Sequence, residues 1–554
     1  MEVSSEPVEQ PLSETAQSPG LVTALAAAAS LAACGGGGGA DSPAPVPPPT
    51  VLPTAVEASR FLGQAAFAAT DDHLARVQAV GYAAWIDEQL AQPRTTGHYD
   101  TMIAAGLAVA SNEYTFTGTD NTLWRKLISS PDVLRQRVTL ALSEIFVVSM
   151  LGLPLSWRGF SAAAYMDVLE ANAFGNYRDL LQAVTLSPAM GTYLNLRGNQ
   201  KGDASGRQPD ENYAREVLQL FSIGLVELNP DGTLRGGVAT DTYTQDTITN
   251  LARVFTGWEF DGFNHTEPSY TIKPMVFLAS RFDTGSKQFL GTTIASTVDG
   301  VTAMKLALDT IAAHPNVGPF IGRQLIQRLV CSQPSAAYVG RVSAVWANNG
   351  SGVRGDLKAV IKAILLDSEA RRAPTSADTT RGKLREPVQR LVQWARTFKL
   401  SSPTGLWNIP DTSDPSTRLG QSPLRAPSVF NFFRPGYVPP NSPLGTLGVQ
   451  APEFQITNES TVVAWANFMQ STVFSGLGET RPDYSAELPL AADAAALVAR
   501  INLLLAHGAL GADTVATITQ AINSMSASND NAKLNRVRAA VFLVLCAPEY
   551  LVQV

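Results

Sequence analysis

The sequence is poor in cysteine, in charged residues and in long apolar runs. Its three cysteines, Cys34, Cys331 and Cys546, lie far apart, and no pair has the spacing of zinc-ligating thiolates, which excludes that kind of metal site. Charged residues make up 16% of the 554 residues and the net charge is −7, so the composition indicates no basic face for nucleic acid. Outside the N-terminal region, no apolar run reaches the roughly 18 residues that span a bilayer.

Familiar catalytic motifs are absent as well. The five histidines form no HExxH pair, and neither the GxSxG elbow of hydrolases nor a GxxxxGK[ST] phosphate loop occurs. We therefore expect neither a cofactor nor a metal, and whether the protein is an enzyme stays open. Cys331 and Cys546 lie in apolar helical contexts, LIQRLVC and VFLVLC, which favours two buried and unbonded thiols.

The N-terminal segment has the pattern of an export signal followed by a tether. Residues 21–33 form an alanine-rich apolar run of signal-peptide length, and LAAC at 31–34 resembles a bacterial lipobox with Cys34 as the lipidated residue. The following glycines and the stretch DSPAPVPPPT suit a flexible and then stiff spacer. Residues 1–20, however, contain no Lys or Arg, where a signal peptide has a positive region. We predict export to the periplasm or cell surface, with a lipid anchor as the membrane contact and simple secretion as the alternative.

From residue 55 onward the pattern is mainly helical. Ser130-Pro131-Asp132 combines a cap, a proline and an acid at the start of a helix that we expect to run to Ser149. Strand signals are sparse: a hairpin is expected around the Pro-Asp-Gly turn in 225–237, and a second short pair within 270–290. We predict a mostly α protein, with 1–54 disordered and 55–554 forming one large multi-helix domain with long loops and one or two short β-hairpins.

Two predicted helices carry matching rows of polar side chains. PDENYAREVLQLFSIG (209–224) and YTQDTITNLARVFTGW (243–258) each combine an apolar stripe with a polar face. If these faces meet, they form a polar network that serves either as a structural clamp or as a site. Paired carboxylates suit acid–base chemistry, so the candidate catalytic residues are Glu211, Glu216 and Asp246. The candidate substrate-binding residues on the same helices are Asn212, Arg215, Asn250 and Arg253.

A second group of candidates consists of arginines elsewhere in the chain. Guanidinium groups grip carboxylate, sulfate or phosphate in a bidentate manner, so these arginines are candidate anion ligands. The structural alternative is that they pair with acids such as Glu216, Asp246 and Glu386 and tie helices and loops together. The candidates are Arg323, Arg385, Arg425 and Arg434.

Several segments together resemble one bacterial family. They are SRFLGQAAFAATDDHLARVQAVGYAAWIDEQL, PDENYAREVLQLFSIG, YTQDTITNLARVFTGW, HPNVGPFIGRQLIQRLV, LREPVQRLV and SPLRAPSVFNFFRPGY. In this order they resemble the family catalogued as domain of unknown function 1800, from about Glu57 to Val554. The resemblance implies a secreted or envelope protein without an assigned role. Members are often encoded beside a sulfatase-like family, which implies such a protein as a partner. Where members often read SRHDTG, this chain has Phe282.

Two classes of function remain open at this point. The first is an exported enzyme or enzyme accessory that binds an anionic glycan or similar anion through a cleft of Glu, Asp and Arg. The alternative is a non-catalytic lipoprotein that binds or matures a partner such as a sulfatase-like envelope protein. Convergence of Glu216, Asp246, Arg253 and Arg425 in one pocket would favour the anion-binding enzyme or accessory. An exposed apolar patch without a polar cleft would favour the partner-binding lipoprotein.

Overall fold

The structure of the protein is a computed structural model that describes residues 52–375, 378 and 380–554. The lipid-anchor prediction at Cys34 and the tether prediction lie outside this range. Within it, no helix combines the length and the apolar character needed to cross a bilayer. Cys331 and Cys546 are both free, as predicted.

The first half of the described chain consists of short helices that begin at polar caps. Thr54 accepts a hydrogen bond from the backbone of Glu57, whose carboxylate bonds back to Thr54, and this reciprocal cap starts the first helix. Asn176 caps a later helix through its side chain. The helices here are α1 (Ala55–Ala65), α2 (Asp71–Ala91), α3 (His98–Ala104), α4 (Thr119–Ser129), α5 (Val133–Ser143), α6 (Arg158–Asn172), α7 (Tyr177–Thr185), α8 (Pro188–Tyr193), α9 (Asn212–Gln219) and α10 (Gln245–Val254).

The helices in the second half of the described chain also begin at polar caps. Asp299 and Asp356 each accept hydrogen bonds from two backbone amides at a helix start, where unpaired N–H groups favour an acid. The helices are α11 (Gly300–Ala313), α12 (Val317–Leu329), α13 (Ala336–Ala347), α14 (Leu357–Leu366), α15 (Ser368–Arg371), α16 (Pro387–Thr397), α17 (Pro443–Thr446), α18 (Glu459–Ser475), α19 (Ala494–Leu505), α20 (Ala512–Asn523), α21 (Asp530–Cys546) and α22 (Pro548–Leu551).

Strands are short and antiparallel in the described chain, which confirms the mostly α prediction. The second predicted hairpin is found at its late edge, at 287–294, and the first is reduced to a bridge between Leu228 and Leu234. Gly232 closes that turn with φ of 78°, a conformation that favours glycine. The strands pair as β1 (Trp258–Glu259) with β2 (Val276–Phe277), β3 (Lys287–Phe289) with β4 (Thr292–Ile294), and β5 (Lys383–Leu384) with β6 (Val552–Gln553).

The helix predicted to run from Pro131 to Ser149 is shorter than expected. It starts at Val133 and ends at Ser143. Beyond this point the carbonyl of Phe146 accepts a hydrogen bond from the hydroxyl of Tyr165 at 2.5 Å, so tertiary contacts replace the helical ones. The chain therefore leaves the helix at Glu144 and buries this carboxyl group.

One continuous hydrophobic core runs through residues 58–550. The predicted apolar stripe of α19 faces it, since Leu497, Ile501, Leu504 and Leu505 are all buried. Arg137 is buried within this core, where its Nε donates to the carbonyl of Gln64 and its Nη2 to the carbonyl of Arg328. One guanidinium thus joins α5 to α1 and α12.

Candidate functional site

The polar rows of α9 and α10 meet at Glu211. Its carboxylate accepts hydrogen bonds from Gln245 Nε2 at 2.7 Å and from Thr249 Oγ1 at 2.8 Å. Arg215 adds a contact at 3.4 Å on the same helix face. Glu211 is therefore the clamp between the two helices.

The other two candidate carboxylates lie in different surroundings. Glu216 is buried at 8% exposure, and its Oε2 has no hydrogen-bond partner among the described residues. Burial raises the pKa of Glu216, and the positive charge of Arg215 lowers it only in part. Asp246 is exposed on α10. Among the described residues, no side-chain hydrogen-bond partner is shared between any two of these carboxylates.

Asn250 and Arg253 form a separate group with the segment before β3. Arg253 binds the carboxylate of Asp283 through Nε at 3.1 Å and Nη2 at 3.0 Å. Asn250 Oδ1 accepts from Arg253 Nη1 at 3.3 Å, and Asn212 lies apart at the start of α9. Phe282, at the position where the family often has histidine, is buried beneath the ammonium group of Lys287.

The candidate arginines of the second group have local partners. Arg323 donates to Gln450 at 2.9 Å, and Arg434 stacks on Phe430. Arg385 is buried and donates to the carbonyl of Tyr550. Within residues 52–375, 378 and 380–554, no hydrogen bond or ion pair links these arginines or Arg425 to the candidate carboxylates of α9 and α10. Arg323, Arg385 and Arg425 instead have polar partners outside α9 and α10.

Arg425 instead contacts Asp120, which lines a cleft that the sequence did not indicate. This cleft, here called the α4 cleft, has a volume of about 440 Å³ and lies between α3, α4 and residues 405–410. Its walls combine apolar side chains with amides, hydroxyls and two charged groups. The residues used below are Met102, Phe116, Asp120, Arg125, Leu406 and Asn408.

The local sequence holds this cleft open. Asn121 on α4 donates through Nδ2 to the carbonyl of Leu406 at 2.9 Å and so fixes the opposite wall. Gly118 has φ of 83°, a conformation that favours glycine where the chain enters α4.

Asp120 and Arg425 form an ion pair in one wall of the α4 cleft. Arg425 Nη2 lies 2.5 Å from Asp120 Oδ2, and Arg425 Nε lies 3.4 Å from Asp411 Oδ1. Burial raises the pKa of Asp120; Arg425 counteracts this, and the negative charge of Asp411 adds to it. Arg425 thus contacts two carboxylates. Because its pKa is raised, Asp120 is protonated more easily than an ordinary aspartate.

Arg125 is the second cation of the α4 cleft. Its only side-chain hydrogen bond within the described chain joins Nη2 to the hydroxyl of Thr101 at 2.8 Å, and its Nε is buried without a partner. No described carboxylate lies within the 4 Å of an ion pair with Arg125. Burial lowers the pKa of Arg125, and the charges of Glu170 and Asp167 oppose this from a distance. A half-buried guanidinium without an anion is the feature most suited to a ligand.

A buried ionic network lies beneath the loop that carries Arg425. Glu144, Arg328, Lys383, Glu386 and Glu453 are each at most 6% exposed. Lys383 Nζ lies 3.3 Å from Glu386 and 3.5 Å from Glu453, and Arg328 Nε lies 3.4 Å from Glu144. The network joins α5, α12, β5 and the start of α16.

Two carboxyl groups of this network differ in protonation. Burial raises the pKa of Glu144 well above its usual value, and the neighbouring charge of Glu386 adds to this. Burial also acts on Glu386, but Lys383 and hydrogen bonds that include the one from Gln421 lower its pKa to about 2. Burial and the charge of Glu386 thus favour the protonated form of Glu144, whereas the partners of Glu386 favour its charged form.

His98, Asp167 and Glu170 place three potential metal-ligand atoms within 4.8 Å of one another. However, both oxygens of Glu170 accept from Lys126 Nζ, at 2.7 and 2.6 Å, and both oxygens of Asp167 accept from the backbone of residues 98 and 99. Lys126 already neutralises Glu170 and would repel a cation. We interpret this cluster as a buried ion pair that joins α4 to α6.

One family model matches this chain: the family described as "Protein of unknown function (DUF1800)" matches residues 60–552. No curated protein and no solved structure matches it.

Proposed function

Because the chain belongs to this family of unknown function, its activity has to be inferred from its own residues, and we propose that it binds an acidic saccharide or similar small organic anion in the α4 cleft. The observation that carries this proposal is Arg125. Its guanidinium is half-buried in the cleft wall and has a hydroxyl, not a carboxylate, as its partner. In the proposal, the Nη groups of Arg125 grip the carboxylate or sulfate of the ligand.

The remaining walls define the rest of the ligand. Met102, Phe116 and Leu406 give apolar surface, while Asn408 supplies an amide. A cleft of 440 Å³ lies within the range of roughly 300–1,000 Å³ that is usual for small-ligand sites. Sugar rings have apolar faces and hydroxyl edges, so an acidic sugar matches both kinds of wall.

Catalysis is the second candidate, and the raised pKa of Asp120 favours it. A protonated Asp120 beside the ligand could donate a proton to a leaving oxygen, as a general acid does. Asp411, on the other side of Arg425, would then remain as the charged carboxylate. This assignment makes the protein an enzyme, whereas the binding proposal holds for an enzyme accessory as well.

We also propose that the protein works outside the cytoplasm, attached through Cys34, on the basis of the LAAC sequence and the spacer that follows it. The alternative function, a non-catalytic lipoprotein that binds a partner such as a sulfatase-like protein, would need an apolar docking face. The exposed residue Leu406 lies at the α4 cleft, so partner binding at that rim is the competing explanation for this surface.

Calorimetric titration with acidic and neutral saccharides tests the proposal. Glucuronate and sulfated glucose should bind the wild-type protein, and glucose should bind more weakly by at least tenfold. Arg125→Gln should weaken binding of glucuronate at least tenfold, whereas Arg76→Gln, a control at a solvent-exposed arginine that does not line the α4 cleft, should not. Equal affinities for charged and neutral sugars, or an unaffected Arg125→Gln variant, would contradict the proposal.

A further inference from the structure

A second cavity, here called the arginine cavity, shares no wall residue with the α4 cleft. Gln64 of α1, Arg341 of α13 and Ser368 of α15 bound it, together with Arg372 and Arg381, and its volume is about 850 Å³. We propose that the arginine cavity binds a sulfate or phosphate ester of a small organic molecule. This site is independent of the function proposed for the α4 cleft.

The first argument is an excess of guanidinium groups over acids, since Arg341, Arg372 and Arg381 line the cavity against Glu369 and Asp378. Arg381 donates through Nη2 to the carbonyls of Glu369 and Arg372, while its Nη1 has no hydrogen-bond partner among the described residues and lies 3.9 Å from Asp378. Behind the wall, Arg371 donates to Gln64, and its Nε and Nη1 have no partner in the described chain. Buried charge without a counter-ion costs free energy, which a bound anion would offset.

A third guanidinium strengthens this excess. Arg60 is 4% exposed, donates to the carbonyl of Arg371 at 2.5 Å and has no partner at Nε among the described residues. Burial lowers the pKa of Arg371 to about 10, and the charges of Arg60 and Arg381 act in the same direction. The protein thus holds like charges close together around one end of the cavity.

The second argument concerns the shape of the ligand. Arg341 and Arg372 each bind one carboxylate in a bidentate manner, Asp367 and Asp378 respectively, which occupies two of the five N–H donors of each guanidinium. Donors that remain free on separate walls suit a tetrahedral oxyanion, whose oxygens point in several directions. The volume exceeds what a bare ion needs and lies within the usual range for small organic ligands.

Asp378 is the internal competitor of such a ligand. Its two oxygens lie 2.9 and 2.6 Å from the Nη atoms of Arg372. These contacts, with Thr375, hold the pKa of Asp378 well below its usual range. A ligand oxyanion would share Arg372 and Arg381 with this carboxylate. Removal of the negative charge should therefore strengthen binding, which a purely structural role of the arginines does not predict.

Thermal unfolding in the presence of inorganic sulfate or inorganic phosphate, each against chloride at equal ionic strength, tests the inference. A ligand that binds only the folded protein raises the melting temperature in a saturable manner. We expect such a rise for the wild-type protein, with an apparent Kd at least tenfold weaker in Arg381→Gln and Arg372→Gln. Asp378→Asn should lower the apparent Kd several-fold, and Arg76→Gln, at an exposed arginine that lines neither cavity, should leave the Kd unchanged. The sulfate and phosphate arms show which ester class is preferred.

Three results would overturn the inference. One is an equal rise with chloride, which indicates non-specific screening. Another is equal saturation in all variants. The third is unchanged or weaker binding in Asp378→Asn. Since Arg381 also holds two backbone carbonyls, its variant could unfold; Arg372→Gln, whose side chain is 47% exposed, and Asp378→Asn then decide the matter.

Discussion

Replacement of Glu144 by glutamine should remove a proton that the protein takes up when it folds. Burial and the charge of Glu386 raise the pKa of Glu144 in the folded state, whereas an unfolded glutamate has a pKa of about 4.3. Between these two values the folded state binds one proton more than the unfolded state. The contribution of Glu144 to stability is therefore fully present below the unfolded pKa and is lost as the pH rises through the pKa of the folded state.

The magnitude follows from proton linkage. One proton corresponds to about 1.4 kcal/mol per pH unit in the free energy of unfolding. Glutamine is neutral at every pH and nearly the same size, so Glu144→Gln lacks this dependence. Unfolding of roughly 500 residues has an entropy of about 1 kcal/mol/K, so the gap between the melting temperatures of variant and wild type should widen by about 1.4 °C per pH unit.

Scanning calorimetry at pH 5, 6 and 7 measures this gap. The melting temperature of Glu144→Gln should rise relative to the wild type at each step, because the wild type loses stability that the variant does not lose. Glu267→Gln, at an exposed carboxylate, is the matched control and should show no such trend. Parallel curves for Glu144→Gln and wild type would refute the assignment of the proton to Glu144.

Three further predictions concern other groups. Lys126→Met should lower the free energy of unfolding by about 3–5 kcal/mol, because the buried carboxylate of Glu170 loses its hydrogen-bonded cation and keeps only the longer contacts to Arg94 and His98. Chemical denaturation measures this, and a loss below about 1 kcal/mol would contradict it. Cys331 should resist alkylation at pH 8 in the folded protein, since burial raises the pKa of its thiol to about 12. After denaturation without reductant, mass spectrometry should find both Cys331 and Cys546 labelled, because neither thiol is bonded. Cys34→Ser should move the protein from the membrane to the soluble fraction in a Gram-negative host, and an unchanged distribution would exclude the lipid anchor.

The helical fold could be predicted because its signals are local. Apolar positions such as Leu497 and Ile501 recur with the helical period and are buried as expected. The early end of α5 could not be predicted, because the hydrogen bond from Tyr165 of α6 to Phe146, in the segment after α5, is a tertiary contact. Periodicity identifies helices, but tertiary contacts decide where some of them stop.

The candidate site was predictable only in part. The sequence singled out Arg425 as an anion-binding residue, yet its partner Asp120 is 305 residues away, and no local pattern connects the two. Arg125 lies in an ordinary amphipathic helix and carried no signal. Glu216 was expected on a polar face, but it is buried without a hydrogen bond. Glu386, expected to pair with arginine, accepts instead from Gln389 and Gln421 and contacts Lys383.

The most direct test of the binding proposal is a crystal structure of the protein soaked with glucuronate. The account predicts electron density in the α4 cleft, with a carboxylate oxygen within about 3 Å of an Nη atom of Arg125 and the sugar ring against Phe116. Glucuronate bound elsewhere, or a cleft whose Arg125 makes the same single contact to Thr101 at saturating ligand, would contradict it.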